Sequence, residues 1–293
     1  MNGVIVVDKP AGWTSHDVVS KMRRIAGTRK IGHLGTLDPA ATGVLPLLLN
    51  RATRLAQFFT HNEKVYEGVI RFGWSTDTYD AEGEPTSPQT EVNIERERLE
   101  KVLDASRGVI QQTPPPVSAK KIDGRPAYEL VRKNIAVEMK PVEVTVFALD
   151  VLWLRGAEAG VRVHCGSGTY LRSIAHDAGR AMGCGAHLKS LRRLQSGPFG
   201  IISARTLDEL AQLAAENRLQ EALIPAMQLL PEFPCEIVDR ITEAQIRQGR
   251  DFRVSPFRTR DGEKLVKAVS RSGELIAIGQ AILPNLYHPI LVL

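Results

Sequence analysis

The chain of 293 residues is short of cysteine, with three, and of aromatic residues, at 5%. Cys165, Cys184 and Cys235 are too few, and odd in number, for a disulfide framework, and sparse thiols fit a reducing compartment. Cys184 and His187 have a C-x-x-H spacing. No second pair completes a four-ligand zinc site, so the cysteines read as small buried hydrophobes. Long apolar runs are missing too. The amino-terminal one covers residues 4–7 and has no basic lead, and no later stretch reaches the length of a membrane span. The expectation is a cytoplasmic protein with no membrane partner. Phosphate-cradling glycine motifs are absent, whether G-x-G-x-x-G or G-x-x-x-x-G-K-[ST]. Gly166-Ser167-Gly168 falls one residue short of a nucleophile elbow, which argues against serine-hydrolase chemistry.

What remains is an ordinary globular composition, 43% hydrophobic and 24% charged, with a net charge of +5. That excess permits a nucleic-acid partner without requiring one. Apolar residues at 4–7 predict a short buried strand closed by the turn Lys9-Pro10-Ala11-Gly12. Thr14 and Asp17 stand at capping-box spacing before a helical stripe of Val18, Val19, Met22, Ile25 and Ala26, which Gly27 ends. Lys21, Arg23, Arg24, Arg29 and Lys30 form a basic run that reads most simply as a solvated face. Strands are expected at 44–49, 65–72, 142–148 and 161–165, and helices at 51–59, 95–103, 169–182 and 243–248. Residues 77–83 form an acidic loop without calcium-ligand spacing. The segment 112–141, with three consecutive prolines, reads as a projecting basic insertion. Pro231-Glu232-Phe233-Pro234 reads as a linker to about sixty residues with the texture of a small barrel.

Three polar segments are the candidates for chemistry. In His33 to Asp38 two glycines allow close backbone approach and Pro39 stiffens the exit. In Lys64-Val65-Tyr66 a lysine and a tyrosine share one strand face. In Ser167 to Arg172 a glycine turn feeds a helix whose first turn holds Tyr170 and Arg172. Each has a plainer reading: Asp38 as a turn former, Tyr66 as a strand aromatic, Arg172 as an exposed helix residue paired with Asp177 or a glutamate elsewhere, His33 as an ordinary histidine. Singly, none decides anything.

Together the segments resemble a known family. Asp8-Lys9-Pro10-x-Gly12-x-Thr14-Ser15 is followed by Gly32-His33-x-Gly35-Thr36-Leu37-Asp38-Pro39-x-Ala41-x-Gly43-x-Leu45. After these come Lys64-x-Tyr66, Thr76-Asp77-Thr78-x-Asp80-x-x-Gly83, Ser118-Ala119-x-Lys121, Gly168-Thr169-Tyr170-x-Arg172-Ser173 and Leu191-Arg192-Arg193 to Phe199. This order resembles the TruB family of tRNA pseudouridine synthases over residues 3 to about 200. Val117, where an aromatic is expected, and Asn50, where a glycine is usual, depart from it.

The resemblance implies an α+β fold: a mixed, largely antiparallel central sheet with flanking helices and a thumb insertion, plus a small C-terminal PUA-like barrel. The implied domains are a catalytic one at 1–232, with the thumb at about 112–141, and an RNA-binding one at 233–293. It implies an isomerase that needs no cofactor or metal and converts uridine 55 in the T-loop of tRNA to pseudouridine. Asp38 would be the catalytic carboxylate, kept ionised by Arg172. Tyr66, Tyr170 and Leu191 would line the base pocket, His33 would fill the space left by the flipped base, and Lys9 would belong to the substrate-binding set. Lys189, Arg192 and Arg193 would hold phosphates, and a role in folding tRNA is a further possibility of the family. The implied partner is the tRNA T-arm, met by a monomer with no protein partner. A guide-RNA-dependent enzyme of the dyskerin type, or a non-catalytic RNA-binding protein on the same scaffold, are the alternatives. A glycosidase is set aside because no second acidic residue is seen to accompany Asp38.

Overall fold

The computed structural model describes residues 1–118, 121–122, 125–126, 139–255 and 264–293. Strand β1 (Gly3–Lys9) is buried at every position but Asp8, and helix α1 (Ser15–Ile25) follows it. The Thr14 hydroxyl accepts from the Asp17 amide at 3.0 Å and the Asp17 carboxylate accepts from the Thr14 amide at 2.9 Å, so the expected capping box forms. Ser15, Val18, Val19 and Met22 are its buried face. Next come β2 (Ile31–His33), β3 (Thr42–Leu49) and β4 (Lys64–Phe72). Between β3 and β4 the helix expected at 51–59 is a 3-10 stretch, Asn50–Phe59, with Ala52, Leu55 and Phe59 inward. The step of three from Ala52 to Leu55 fits the tighter turn as well as it fits an α-helix.

Helix α2 (Arg96–Asp104), strand β5 (Gly108–Gln112) and the two short strands β6 (Lys121–Ile122) and β7 (Arg125–Pro126) come next. Of the expected insertion at 112–141, residues 119–120, 123–124 and 127–138 lie outside the described residues. The strand expected at 142–148 runs on as β8 (Val142–Arg155) and turns back as β9 (Glu158–Cys165). Helix α3 (Leu171–Met182) starts two residues later than expected, with Tyr170 extended as its N-cap, and Gly183 ends it in the left-handed region at φ 77°. Strands β10 (Ala186–Ser196) and β11 (Phe199–Gly200), helix α4 (Leu207–Ala215) and strand β12 (Leu223–Pro225) complete the first layer system.

The main sheet has the order β12-β1-β3-β10-β4-β9-β8-β5, with β2 added to β3 and β11 to β10. All its pairings are antiparallel except β3 with β10. This is the mixed, largely antiparallel α+β sheet that the family resemblance implies. One face packs on α1 to α4 through residues such as Leu45, Ile70, Phe72, Val163, Ile174 and Leu210. Each fully buried side chain of this size stabilises by about 1.5–3 kcal/mol relative to exposure.

The other face of β1 and β3 packs against a second, five-stranded sheet. It comprises β13 (Cys235–Val238), β14 (Phe252–Arg253), β15 (Leu265–Ser270), β16 (Leu275–Leu283) and β17 (Leu286–Val292), in the order β13-β15-β16-β17-β14. Helix α5 (Arg240–Arg247), capped by Asp239, lies three residues earlier than expected at its start. Val269, Leu275, Ile278, Leu291 and Leu293 share a core with Val4, Val6, Val44, Leu48 and Leu55.

Candidate active site

The loop from His33 to Thr42 carries Asp38, and three elements fix it. The Ser15 hydroxyl, at the start of α1, accepts from the Leu37 amide at 2.9 Å and donates to the Leu37 carbonyl at 3.2 Å. The Lys9 ammonium, at the end of β1, donates to the carbonyls of Pro10 (2.9 Å), Trp13 (2.6 Å) and Pro39 (3.0 Å). Arg193, on β10, donates to the carbonyls of Val44 (2.7 Å) and Gly35 (2.9 Å). Gly43 lets this happen: at φ 99°, a Cβ there would meet the Arg193 carbonyl oxygen at 2.2 Å. The close parallel pairing of β3 with β10 therefore requires glycine.

Lys9 thus differs from its expected place. It is fully buried, with all three ammonium hydrogens on carbonyls, so it has no donor left for a substrate. Burial pulls its pKa down to about 8, with the Asp38 carboxylate pulling the other way. Arg193 is likewise 1% exposed, which rules out the expected phosphate contact. It lies opposite Tyr66 in the β4–β10 register. Arg192, one residue earlier and so on the other face, grips the Asp8 carboxylate with two bonds at 3.0 and 2.7 Å. Lys189 pairs with Glu158 at 2.6 Å.

Arg172, in the first turn of α3, has a side chain only 6% exposed, whereas that of Asp38 is 40% exposed. Its Nη2 donates to Asp38 Oδ1 at 3.1 Å and its Nε lies 2.9 Å from Oδ2, a two-point ion pair that fixes the carboxylate plane. The plainer pairing with Asp177 does not occur. Nη1 reaches the Thr78 carbonyl at 3.2 Å and Asp80 Oδ2 at 3.4 Å. Asp80 is thus a second carboxylate on the same guanidinium, which corrects the reading that no acidic residue accompanies Asp38. Its own loop holds it: Thr78 Oγ1 donates to Asp80 Oδ1 at 2.6 Å and the Glu82 amide donates there at 3.1 Å. Burial raises the Asp38 pKa above the usual carboxylate range; Arg172 opposes this, and Asp80 adds to the rise.

Two cavities open from this carboxylate. One, of about 210 Å³, is walled by Leu37, Lys64, Tyr66, Gly168, Tyr170, Leu191 and Arg193, with Asp38 and Arg172 on its floor. The sequence segments of Asp38, Tyr66, Tyr170, Arg172 and Leu191 therefore do converge. The other, of about 580 Å³, is lined by His16, His33, Asp80, Glu82, Val117 and Ser118 as well as Asp38. His33 belongs to that side. Its Nδ1 is buried and finds no partner among the described residues, and burial and Arg193 lower its pKa, which favours the neutral ring.

Tyr170 is held by a residue that sequence reasoning missed. The buried Gln112 amide donates to the Tyr170 carbonyl at 3.1 Å and accepts from its N–H at 2.8 Å. A glutamine pair ahead of a proline run gives no signal of such a clamp. Asp80 had one: it stands inside a motif whose spacing was already conspicuous. No group of three or more possible metal ligands occurs among the described residues.

Two family models divide this site between them. "TruB family pseudouridylate synthase (N terminal domain)" matches residues 23–171, and "tRNA pseudouridylate synthase B C-terminal domain" matches 172–231. The chain belongs to the TruB family. A relative in Solibacter usitatus (strain Ellin6076), named tRNA pseudouridine synthase B, is 62% identical over 293 residues, all of both chains. One of the same name in Aquifex aeolicus (strain VF5) is 41% identical over 282 residues, 96% of each. Among solved structures, a chain of an H/ACA RNP bound to a substrate RNA containing 2'-deoxyuridine superposes with a TM-score of 0.72. It is 25% identical and covers 99% of this chain and 84% of that one.

Within the TruB pattern the Asn50 departure has a local reason. Asn50 sits at φ 55°, the left-handed region that glycine enters freely and asparagine tolerates best among the rest. Its side chain is also held, accepting from Thr28 Oγ1 and donating to the Met1 carbonyl, each at 2.5 Å. Val117 lines the cavity on the His33 side.

Proposed function

We propose that this TruB-family chain is a tRNA pseudouridine synthase that isomerises uridine 55 of the T-loop, with Asp38 as its catalytic carboxylate. The observation that carries this reading is the Asp38–Arg172 pair on the floor of a base-sized pocket, accessible at the carboxylate and sealed at the guanidinium. The reaction breaks the C1′–N1 bond, turns the uracil and joins C5 to C1′. It is redox-neutral, so it calls for no cofactor.

Asp38 attacks or assists at the sugar, through a covalent or a glycal-type intermediate. Arg172 opposes protonation of that carboxylate and aims it. Tyr66 stacks on the uracil near the 2′ hydrogen, while Tyr170 and Leu191 form the other walls. The uridine must leave its stack at a cost of a few kcal/mol, which pocket contacts recover. The neutral His33 ring occupies the vacated space. Lys9 acts at one remove, by pinning the Pro39 carbonyl beside Asp38.

The units at 1–232 and 233–293 serve as catalytic domain and PUA-like RNA-binding domain, and the chain acts as a cytoplasmic monomer. Likeness to an H/ACA RNP chain keeps the guide-dependent reading as the alternative. Incubation with unmodified tRNA transcript alone, followed by carbodiimide primer extension, decides. A stop at position 55 with no guide or protein added supports the proposal, and its absence refutes it.

A further inference from the structure

The basic run at 21–30 is not used by the site described above, and the fold gives part of it a specific setting. Arg29 and Lys30, just ahead of β2, line a cleft of about 560 Å³ together with Arg51, Thr53 and Arg54 from the 3-10 stretch, and with Leu293, one residue past β17. All four cations are exposed. Among the described residues no aspartate or glutamate lines the cleft. Arg51 reaches Glu274 only at 3.9 Å, and its Nη1 donates to the Leu293 oxygen at 3.3 Å. Arg54 donates to the Val292 carbonyl. Among the described residues no ion pair neutralises Arg29, Lys30 or Arg54. Two exposed arginines elsewhere are paired: Arg162 meets Glu67, and Arg218 meets both Glu216 and Glu221. Four like charges around one concavity repel one another, and an anion placed among them relieves that.

The position of the cleft identifies the anion. Strand β2 has three residues: Ile31 and Gly32 line the cleft, and His33 lines the cavity beside Asp38. Two residue steps along a strand span about 7 Å. A polyanion threaded past His33 therefore reaches the cleft within a few of its own repeats, whereas a free small anion would have no reason to sit in line with the site. We propose that the cleft of Arg29, Lys30, Arg51 and Arg54 holds the sugar–phosphate backbone of the substrate RNA a few nucleotides from the flipped uridine. This rests on the RNA-isomerase reading above. The contacts position the strand and read no bases, because ammonium and guanidinium groups here meet phosphates and not base edges.

Filter binding of the full chain to unmodified tRNA transcript between 50 and 200 mM salt tests this. Arg29→Ala/Lys30→Ala removes two cations without disturbing the bonds that Arg51 and Arg54 make to Leu293 and Val292. Kd is expected to rise about tenfold at low salt, and the log Kd–log salt slope to become shallower by nearly 2, at roughly 0.9 per phosphate. Arg162→Ala/Arg218→Ala removes the same net charge from ion pairs elsewhere and is expected to leave the slope as it is. Unchanged Kd and slope in the first variant overturn the proposal, and so does an equal change in both variants, which would mean that net charge alone acts. If the wild-type chain binds the transcript but forms no pseudouridine, the reaction assignment fails instead, and the slopes still judge the cleft.

Discussion

Strand β4 has two faces with opposite lives. Toward the helices, Tyr66 and its neighbour Arg193 are almost wholly enclosed, and the guanidinium donates to two buried carbonyls. On the other face, Glu67 meets Arg162, and Arg71 shares Glu158 with Lys189, all at least partly in water. The residue types are nearly the same, yet the energetics are not. An enclosed cation without its acceptors leaves an unpaired buried charge, whereas an exposed pair is solvated either way. The alternation of β10 makes the point within two residues: Arg193 is structural and inward, while Arg192 pairs with Asp8 at the surface.

The sharpest test of this contrast is Arg172→Met. It strips Asp38 and Asp80 of their shared cation, and turnover on tRNA should fall by about a thousandfold, or about 4 kcal/mol in the barrier. The rate–pH profile adds a second readout. Burial already raises the Asp38 pKa, and Arg172 opposes that rise, so its loss should move the acid limb of the profile to higher pH. A loss confined to KM would make Arg172 an RNA clamp instead. Arg193→Met should come next, destabilising the fold by about 3 kcal/mol in urea unfolding, because the Val44 and Gly35 carbonyls lose their donor. A change under about 1 kcal/mol would break the claimed difference between the faces.

A smaller effect of opposite sign is expected for Asp38→Asn. The folded state raises the pKa of this carboxyl, so folding holds its proton more tightly than the unfolded chain does. Asp38 therefore loses stability for the protein as pH rises from the unfolded value through the folded one. The variant should melt slightly higher than wild type at neutral pH, with the gap closing toward pH 4; a lower melting point at pH 7 contradicts this. The smallest effect belongs to the outer face: Arg162→Ala should cost under about 0.5 kcal/mol, the usual worth of an exposed pair. A loss above 1 kcal/mol would mean that the pair is not screened as its exposure implies.

Much of the site was legible before the structure, because it is written in short local patterns. The Thr14–Asp17 box, the Gly35 to Pro39 turn and the Lys64/Tyr66 alternation each depend on a few adjacent residues. What stayed illegible depends on partners far along the chain. Lys9 finds Pro39 thirty residues away, Gln112 finds Tyr170 after fifty-eight, and Arg193 finds Gly35 and Val44 after about a hundred and fifty. A charged side chain gives no local sign of whether such acceptors await it, so Lys9 and Arg193 read as cations that meet the substrate. Strand β10, which carries Arg193, was hidden as well: its pattern of Lys, Arg and Gln masks a central strand flanked by β3 and β4. Asn50 shows the reverse case, a departure from pattern that its backbone angle explains at once.

The claim on which the rest turns is that Asp38 acts chemically and not merely as a member of the loop. Wild type and Asp38→Asn should be compared on the same unmodified tRNA transcript, by filter binding and by pseudouridine mapping at position 55. Charge is lost but shape is kept, so binding should stay within a few-fold of wild type while pseudouridine falls below detection. Full modification by the variant would contradict the account.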